Sequence, residues 1–323
     1  MKRRLIVILV ILMTALLLSS CDEIKSFFNE EETTGGNGEP CTVKWAGVRV
    51  SEYGFDENFP STSQLVNFGQ KMSSCYEGST GSYILIVGTI SSIRDKKTGA
   101  VTGGRCSLEF PLSKTIDNAY GTEKQESPYD FYEAYLTALD QAGYSVWLQV
   151  EPGDADLVEL ATEVMNHYKN HTCVKGFGID VEWYEYRKAA GAKEGDSSKL
   201  TDAEAKKVLK AVQSIKPEYT VFVKHWDTKY LPSKMEGLIY VNDSQQFDSI
   251  DHAKREFSEW AGYYAPQPVM FQIGYDDDED IWSKYKNPAK EYGQAIVDAC
   301  KSGNDVGIVW VDFTFNEVVG KIK

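Results

Sequence analysis

The sequence predicts an α/β fold in which eight strand–helix units close into one barrel, and three observations lead there. From Trp45 to the C-terminus, short apolar runs alternate with amphipathic segments, the order expected of βα units on a parallel sheet. The runs are continuously apolar, as strands covered on both faces are. Eight units fit within about 270 residues, the usual size of a (β/α)8 TIM barrel and more strands than a doubly wound sheet commonly holds. The composition is that of an ordinary globular chain: of 323 residues, 42% are hydrophobic, 25% charged and 12% aromatic, which excludes disordered, collagen-like and disulfide-only classes.

The expected organisation is a signal at 1–20, a linker at 21–40 and a single barrel domain at 41–323. Lys2, Arg3 and Arg4 precede an apolar run from Leu5 to Leu18, the pattern of a secretory signal. The run is shorter than the roughly 20 residues a spanning helix needs. Leu18-Ser19-Ser20-Cys21 resembles the bacterial lipobox, which implies cleavage before Cys21, lipidation of its sulfur, and an exported protein anchored to a membrane or cell surface. Residues 22–40, with EEETTGGNGEP at their centre, read as a flexible tether. The chain carries a net charge of −14, and loss of the three signal-peptide cations takes it to −17. Such a surface repels phosphate backbones, so nucleic acid is not an expected partner.

The candidate strands are 45–51 (WAGVRVS), 82–90 (SYILIVGTI), 145–150 (SVWLQV), 174–183 (VKGFGIDVEW), 220–226 (TVFVKHW), 237–242 (GLIYVN), 268–274 (PVMFQIG) and 306–313 (VGIVWVDF). Helical segments between them include 129–142, 156–168, 203–215 and 288–300, with Asp154 and Thr201 where N-caps or their neighbours belong. The connection at 91–127 holds one weak apolar run (CSLEFPL) and follows the second strand, on the rim where binding loops sit. Cys41, Cys75, Cys106, Cys173 and Cys300 show no C-x-x-C spacing, so zinc and thioredoxin-like chemistry lack support. Cys41 precedes the first strand and Cys300 the eighth. Closure makes those strands neighbours, so the pair shares the bottom face and is the best disulfide candidate.

Barrels place their chemistry at the C-terminal strand ends. Here those ends carry Gln149 and Glu151, Asp180 and Glu182, His225 and Asp227, Asn242 and Asp243, Gln272 and Tyr275, and Trp310 and Asp312. Asp180-Val181-Glu182 is the sharpest feature. Two carboxylates at i and i+2 of one strand share a face and disfavour each other's ionisation, raising one toward the range of a general acid. Glu182, nearer the mouth, is the expected donor, and Asp180 its orienting partner. An ion pair to Lys224 on the next strand is the structural alternative. Trp183, Tyr184, Tyr186, Trp226, Tyr230, Tyr275, Trp282 and Trp310 cluster near strand ends, as rings that stack on sugars would.

GFGIDVEW resembles the strand-four D-x-x-D-x-D-x-E motif of glycoside hydrolase family 18, with Gly178 and Lys175 at its two earlier aspartates. YVND (240–243) is similar to that family's strand-six Y-D signature, and VGIVWVD (306–312) to its strand-eight segment. Family 25 lysozyme-like barrels also carry a strand-four D-x-E. The resemblance implies a glycosidase acting on a poly- or oligosaccharide, N-acetylated substrates included. It places Glu182 as the acid, Asp180 and Asp243 as assisting aspartates and Trp310 beneath a sugar. The seventh strand offers Gln272 where many retaining barrels have a nucleophilic Glu, so catalysis assisted by a substrate acetamido group is one expectation. Glu151 opposite Glu182 is another. Gln149, Trp183, His225, Trp226, Asp227, Asn242, Gln272, Tyr275 and Asp312 complete the expected substrate contacts.

No cofactor is expected. A single Ca²⁺ or Mg²⁺ held by His225, Asp227 and Glu182 is an unspecific alternative, and the run Asp276–Asp280 reads as a solvated acidic loop. A non-catalytic carbohydrate-binding lipoprotein on a hydrolase-like barrel is the alternative to an enzyme.

Overall fold

A computed structural model describes residues 38–55, 58–112, 120–121, 130–185 and 198–323. The signal, Cys21, the linker as far as residue 37 and Tyr186 lie outside the described residues. Gly38–Lys323 forms one structural unit.

The strands are β1 (Thr42–Val50), β2 (Thr80–Arg94), β3 (Val101–Leu108), β4 (Tyr120–Gly121), β5 (Ser145–Val150), β6 (Val174–Asp180), β7 (Thr220–Lys224), β8 (Leu238–Asn242), β9 (Val269–Ile273) and β10 (Asp305–Trp310). Eight of them, all but β3 and β4, form a closed parallel barrel in the order β1-β10-β9-β8-β7-β6-β5-β2, with β2 pairing back onto β1. Closure is visible in the register, where Val48 lies opposite Trp310 on one side and Tyr83 on the other. The protein is thus a (β/α)8 TIM barrel.

Among the described residues the longer helices that follow the strands are α1 (Thr62–Ser74), α2 (Glu133–Ala142), α3 (Leu157–Tyr168), α4 (Asp202–Ile215), α5 (Ile250–Tyr264), α6 (Pro288–Ala299) and α7 (Asp312–Val318). Their starts are written locally. Thr201 caps α4 in a capping box with Glu204, and Ser61 does the same for α1 with Gln64. Asp156, not Asp154, caps α3, while Asp154 accepts from the Gly104 backbone N–H at 3.0 Å. The β7–β8 connection departs from the eight-unit expectation, since it holds only a 3-10 turn at Thr228–Tyr230. It is short, and Pro232 removes a helix donor just beyond the turn.

The connection after β2 is also more ordered than expected. β2 runs on past the barrel and pairs antiparallel with β3, from Gly88 opposite Leu108 to Arg94 opposite Val101. Val101–Leu108 (VTGGRCSL) holds two adjacent glycines and only Val101, Cys106 and Leu108 as apolar residues, so the ribbon forms with little apolar content of its own.

Two cores result from the period-2 alternation of strand side chains. The lumen holds Ile84, Trp147, Phe222, Ile239, Val241, Met270 and Val309. The larger core lies between strands and helices and includes Val48, Phe177, Ile179, Val223, Phe271 and Trp310. Gly178 is required here, because a Cβ would sit 2.1 Å from Phe222 Cζ. The space it leaves is therefore filled by a ring.

Beneath the barrel, Cys41 and Cys300 lie side by side as free cysteines, hydrogen-bonded through their sulfurs, and the Cys41 backbone N–H donates to the Cys300 carbonyl at 3.4 Å.

Candidate active site

The same alternation decides which polar side chains enter the lumen. Counting in twos from Trp147 reaches Gln149 and Glu151, from Phe222 Lys224, from Val241 Asp243, and from Met270 Gln272. Asp180 follows Gly178 on β6, and Arg49 follows Gly47 on β1. A polar layer therefore caps the apolar lumen at its C-terminal end.

Lys224 organises this layer. Its Nζ donates to Asp180 Oδ2 at 3.1 Å, to Glu182 Oε1 at 3.0 Å and to Asp243 Oδ2. Gln149 Nε2 also donates to Asp180 Oδ2, at 3.0 Å. Fully ionised, three carboxylates on one ammonium leave two negative charges uncompensated, and Asp180, Asp243 and Lys224 are buried. Burial penalises each charge, and the cluster responds by holding protons. Desolvation, with Glu151 and Asp243 nearby, pushes the Asp180 carboxyl up to about 7 despite Lys224. Asp243 is likewise pushed up to about 7, first by burial and then by the charge of Glu182. Burial alone would discharge Lys224, but the three carboxylates outweigh it and hold its ammonium well above the ordinary range.

The carboxylate that the structure sets against Glu182 is thus Asp243. Asp180 is itself a perturbed group. The shared strand face is also modified, since β6 ends at Asp180 and Glu182 rides on a 3-10 turn at Val181–Trp183. That turn lifts its side chain outward, leaving it 30% exposed where Asp180 is 3%.

Glu151 stands beside this group with both oxygens engaged, Oε1 accepting from the Tyr53 hydroxyl at 2.9 Å and Oε2 from the Ile90 N–H at 2.8 Å. Its carboxyl is raised, chiefly by burial. Tyr275 is buried and its hydroxyl held protonated, first by burial and then by the charge of Asp243. Gln272 is fully buried and neither of its amide atoms has a protein partner. Asp180 Oδ1, Asp243 Oδ1 and Gln149 Oε1 are also unpartnered. These atoms are hydrogen-bonding capacity at the mouth that the protein leaves unspent.

Other expected contacts lie elsewhere. Trp310 does not underlie the lumen: its neighbour Val309 points inward, so the indole points outward, packs on Trp282 and donates to Thr314 Oγ1 at 2.8 Å. Gly274, at φ +90°, passes over that indole where no side chain fits. Asn242 is also turned outward, donating to Glu256 of α5 at 3.4 Å. His225 stacks on Tyr230 behind β7, and burial holds it neutral by lowering its pKa to about 4. Asp227 caps the 3-10 turn at Thr228–Tyr230 and pairs with Lys229. Trp183 and Trp226 are half-buried, while Tyr184 is buried and bonded to Glu204. Asp312 starts α7 and is consumed by Arg49, whose Nε and Nη2 both reach Oδ1, and by the Ser51 N–H and hydroxyl on Oδ2.

Sequence reasoning passed over Arg49 and Tyr53, and named Lys224 only as an ion-pair partner. Counting strand positions in twos from the apolar lumen residues would have placed Arg49 and Lys224 in the polar layer. Among the described residues no group of His, Cys, Asp and Glu is arranged to hold a metal ion. Asp276–Asp278 forms a 3-10 turn ahead of a short helical turn, Glu279–Trp282.

No sequence-family profile and no curated protein matches the chain. Solved structures similar to it include a β-D-glucuronidase of Dictyoglomus thermophilum (11% identity, TM-score 0.42, covering 83% of this chain and 44% of that one). Concanavalin B is similar at 10% identity and TM-score 0.42, covering 87% and 97%. An endoglycosidase of Bacteroides thetaiotamicron, EndoBT-3987 with a Man5GlcNAc product, is similar at 13% identity and TM-score 0.38, covering 90% and 60%. The chain spans less than half the length of the glucuronidase. Similarity at this level carries no argument about substrate or residues, and the barrel stands on its own strand register.

Proposed function

We propose that this protein is a glycoside hydrolase whose general acid is Glu182. The observation that carries the reading is the meeting of Asp243 and Glu182 on Lys224 Nζ: two carboxyl groups on one ammonium, one buried and raised to about 7, the other opening to solvent at the barrel mouth. In this reading the proton that Asp243 holds near neutrality passes through Glu182, at the mouth, to a glycosidic oxygen. Asp180 and Glu151 are the remaining carboxylates available to stabilise positive charge at the anomeric carbon or to activate water. β9 supplies an amide, Gln272, and no carboxylate, so assistance by an acetamido group of an N-acetylated substrate fits the site. The unpartnered Gln272, Asp180 and Asp243 atoms are available to orient that group. The reading calls for no cofactor. In it the protein is exported and tethered through a lipid on Cys21, meeting its glycan outside the cell.

One observation favours a second reading, a sugar-binding barrel without catalysis. Lys224 Nζ donates to Glu182 Oε1 at 3.0 Å, so this carboxyl is held in the charge cluster rather than free to meet a glycosidic oxygen. Glu182→Gln separates the two: an enzyme loses kcat by about two orders of magnitude or more while still binding its glycan. A wild-type protein that binds glycans and releases no reducing ends leaves the binding module.

A further inference from the structure

Large apolar side chains at the surface are few, and two of them touch. Among the described residues Tyr53, Phe313 and Tyr263 are the exposed large hydrophobics, at 44%, 43% and 55%. Tyr53 follows β1 and Phe313 follows β10, neighbours in the closed barrel, so both stand on the C-terminal rim that carries the carboxylates. Their ring centroids are 6.1 Å apart with planes inclined at 35°.

The pair is built rather than incidental. The Arg49 guanidinium lies 4.5 Å from the Phe313 centroid and 5.7 Å from that of Tyr53, covering the inner side of both rings. Arg49 is itself fixed by Asp312, the residue before Phe313. Asp312 also takes the Ser51 N–H and hydroxyl, and that hydroxyl accepts from the Gly54 N–H at 2.8 Å. Gly54 packs so closely on this carboxylate that a Cβ would lie 2.0 Å from Asp312 Cγ. The Tyr53 hydroxyl points inward to Glu151. One buried carboxylate thus braces both rings, and what remains exposed is aromatic surface held in place at little entropic cost on binding.

We propose that Tyr53 and Phe313 form a stacking platform for a pyranose ring of the substrate, a subsite on the β1–β10 side of the carboxylate cluster. The proposal rests on the glycosidase reading for the class of ligand. Its chemistry is that of sugar rings, whose apolar C–H faces pack on aromatic faces while their hydroxyls stay hydrated. Continuity with the site commits it to this occupant, because Tyr53 reaches Glu151 directly. Asp312 and Arg49 are positioning residues that act through the two rings.

The test uses the full chain in detergent and a panel of N-acetylglucosamine oligomers, peptidoglycan fragments, and xylo- and gluco-oligosaccharides, from disaccharides to hexasaccharides. Binding is followed by saturation-transfer NMR and calorimetry, and cleavage by product analysis. For the glycan that wild type binds, Phe313→Ala should weaken affinity about tenfold, more for long oligomers than for the disaccharide. Phe313→Trp should restore it, and the thermal midpoint should remain that of wild type. If Phe313→Ala lowers the midpoint, Phe313→Leu gives the same comparison with the volume kept. Binding within twofold of wild type in the Ala or Leu variant overturns the platform and leaves the glycosidase reading standing. A wild-type protein that neither binds nor cleaves any glycan of the panel overturns that reading, and the platform with it.

Discussion

Replacing Asp180 with Asn should change how stability depends on pH, by an amount the structure sets. The folded-state carboxyl is raised from 3.8 to about 7, principally because Asp180 is buried. A carboxyl with a raised folded pKa binds a proton that the unfolded chain has already released. Its favourable contribution is therefore present below about pH 4 and lost as pH rises through about 7. At about 1.4 kcal/mol per pH unit, this one group accounts for about 4 kcal/mol between pH 4 and pH 8. Asn is neutral throughout and can still accept from Gln149, while Lys224 keeps Glu182 and Asp243. Relative to wild type, Asp180→Asn should gain about 4 kcal/mol of stability on passing from pH 4 to pH 8, or about 8 °C in Tm at about 2 °C per kcal/mol. Asp243 contributes a slope of the same sign, and loss of the neighbouring Asp180 charge flattens it in the variant, which adds to the difference. Urea titrations of both proteins at pH 4.5, 6 and 8 measure it. A difference that stays flat across that range would refute the burial argument, and with it the picture of a lumen that holds protons.

In the active enzyme, kcat/KM should fall above about pH 7 as Asp243 loses its proton, and Asp243→Asn, which cannot titrate, should remove that limb; a limb that stays in place breaks the assignment. Exposure to an oxidised thiol catalyst should join Cys41 to Cys300, since the neighbouring Cys300 thiol lowers Cys41 to about 5 and keeps it a thiolate. Closing a loop of ~260 residues stabilises by up to about 5 kcal/mol; non-reduced peptide mapping reads the bond, and two free thiols in protein isolated from an oxidising compartment would refute it. Mass spectrometry of the mature N-terminus should find an acylated Cys21, and an intact Met1 terminus would remove the lipid anchor.

The barrel was legible because its signal is written in long stretches. Continuous apolar runs such as 82–87 and 145–150 permit little other than strands covered on both faces, and their number and spacing select closure. What escaped was short or non-local. The β2–β3 ribbon mixes Gly, Ser, Thr and Arg with scattered Ile, Val and Leu, too sparse a pattern to announce it. The missing β7–β8 helix is a matter of a short connection and one proline.

The site was legible at the level of which carboxylates stand at strand ends, and illegible in how they pair. Asp180-Val181-Glu182 reads along the chain as a coupled couple, and the pairing that forms runs across the barrel, from Glu182 to Asp243 and through Lys224 to Asp180. Sequence spacing reports neighbours on one strand, whereas lumen chemistry is decided by which side chains meet from strands far apart in sequence. Trp310 shows the same limit in reverse. An indole at a strand end looks like a sugar floor until the parity of Val309 turns it outward, while Arg49, an unremarked cation in an apolar run, is turned inward and braces the rim. The physical cause is one rule, alternation by two, anchored on the residues that fill the lumen. Applied from Trp147, Phe222 and Met270, it separates the polar layer of Gln149, Lys224 and Gln272 from the outward-facing His225 and Asn242. It also explains why one ammonium serves three carboxylates, since only Lys224 and Arg49 bring cations into that layer, and Arg49 is already held by Asp312.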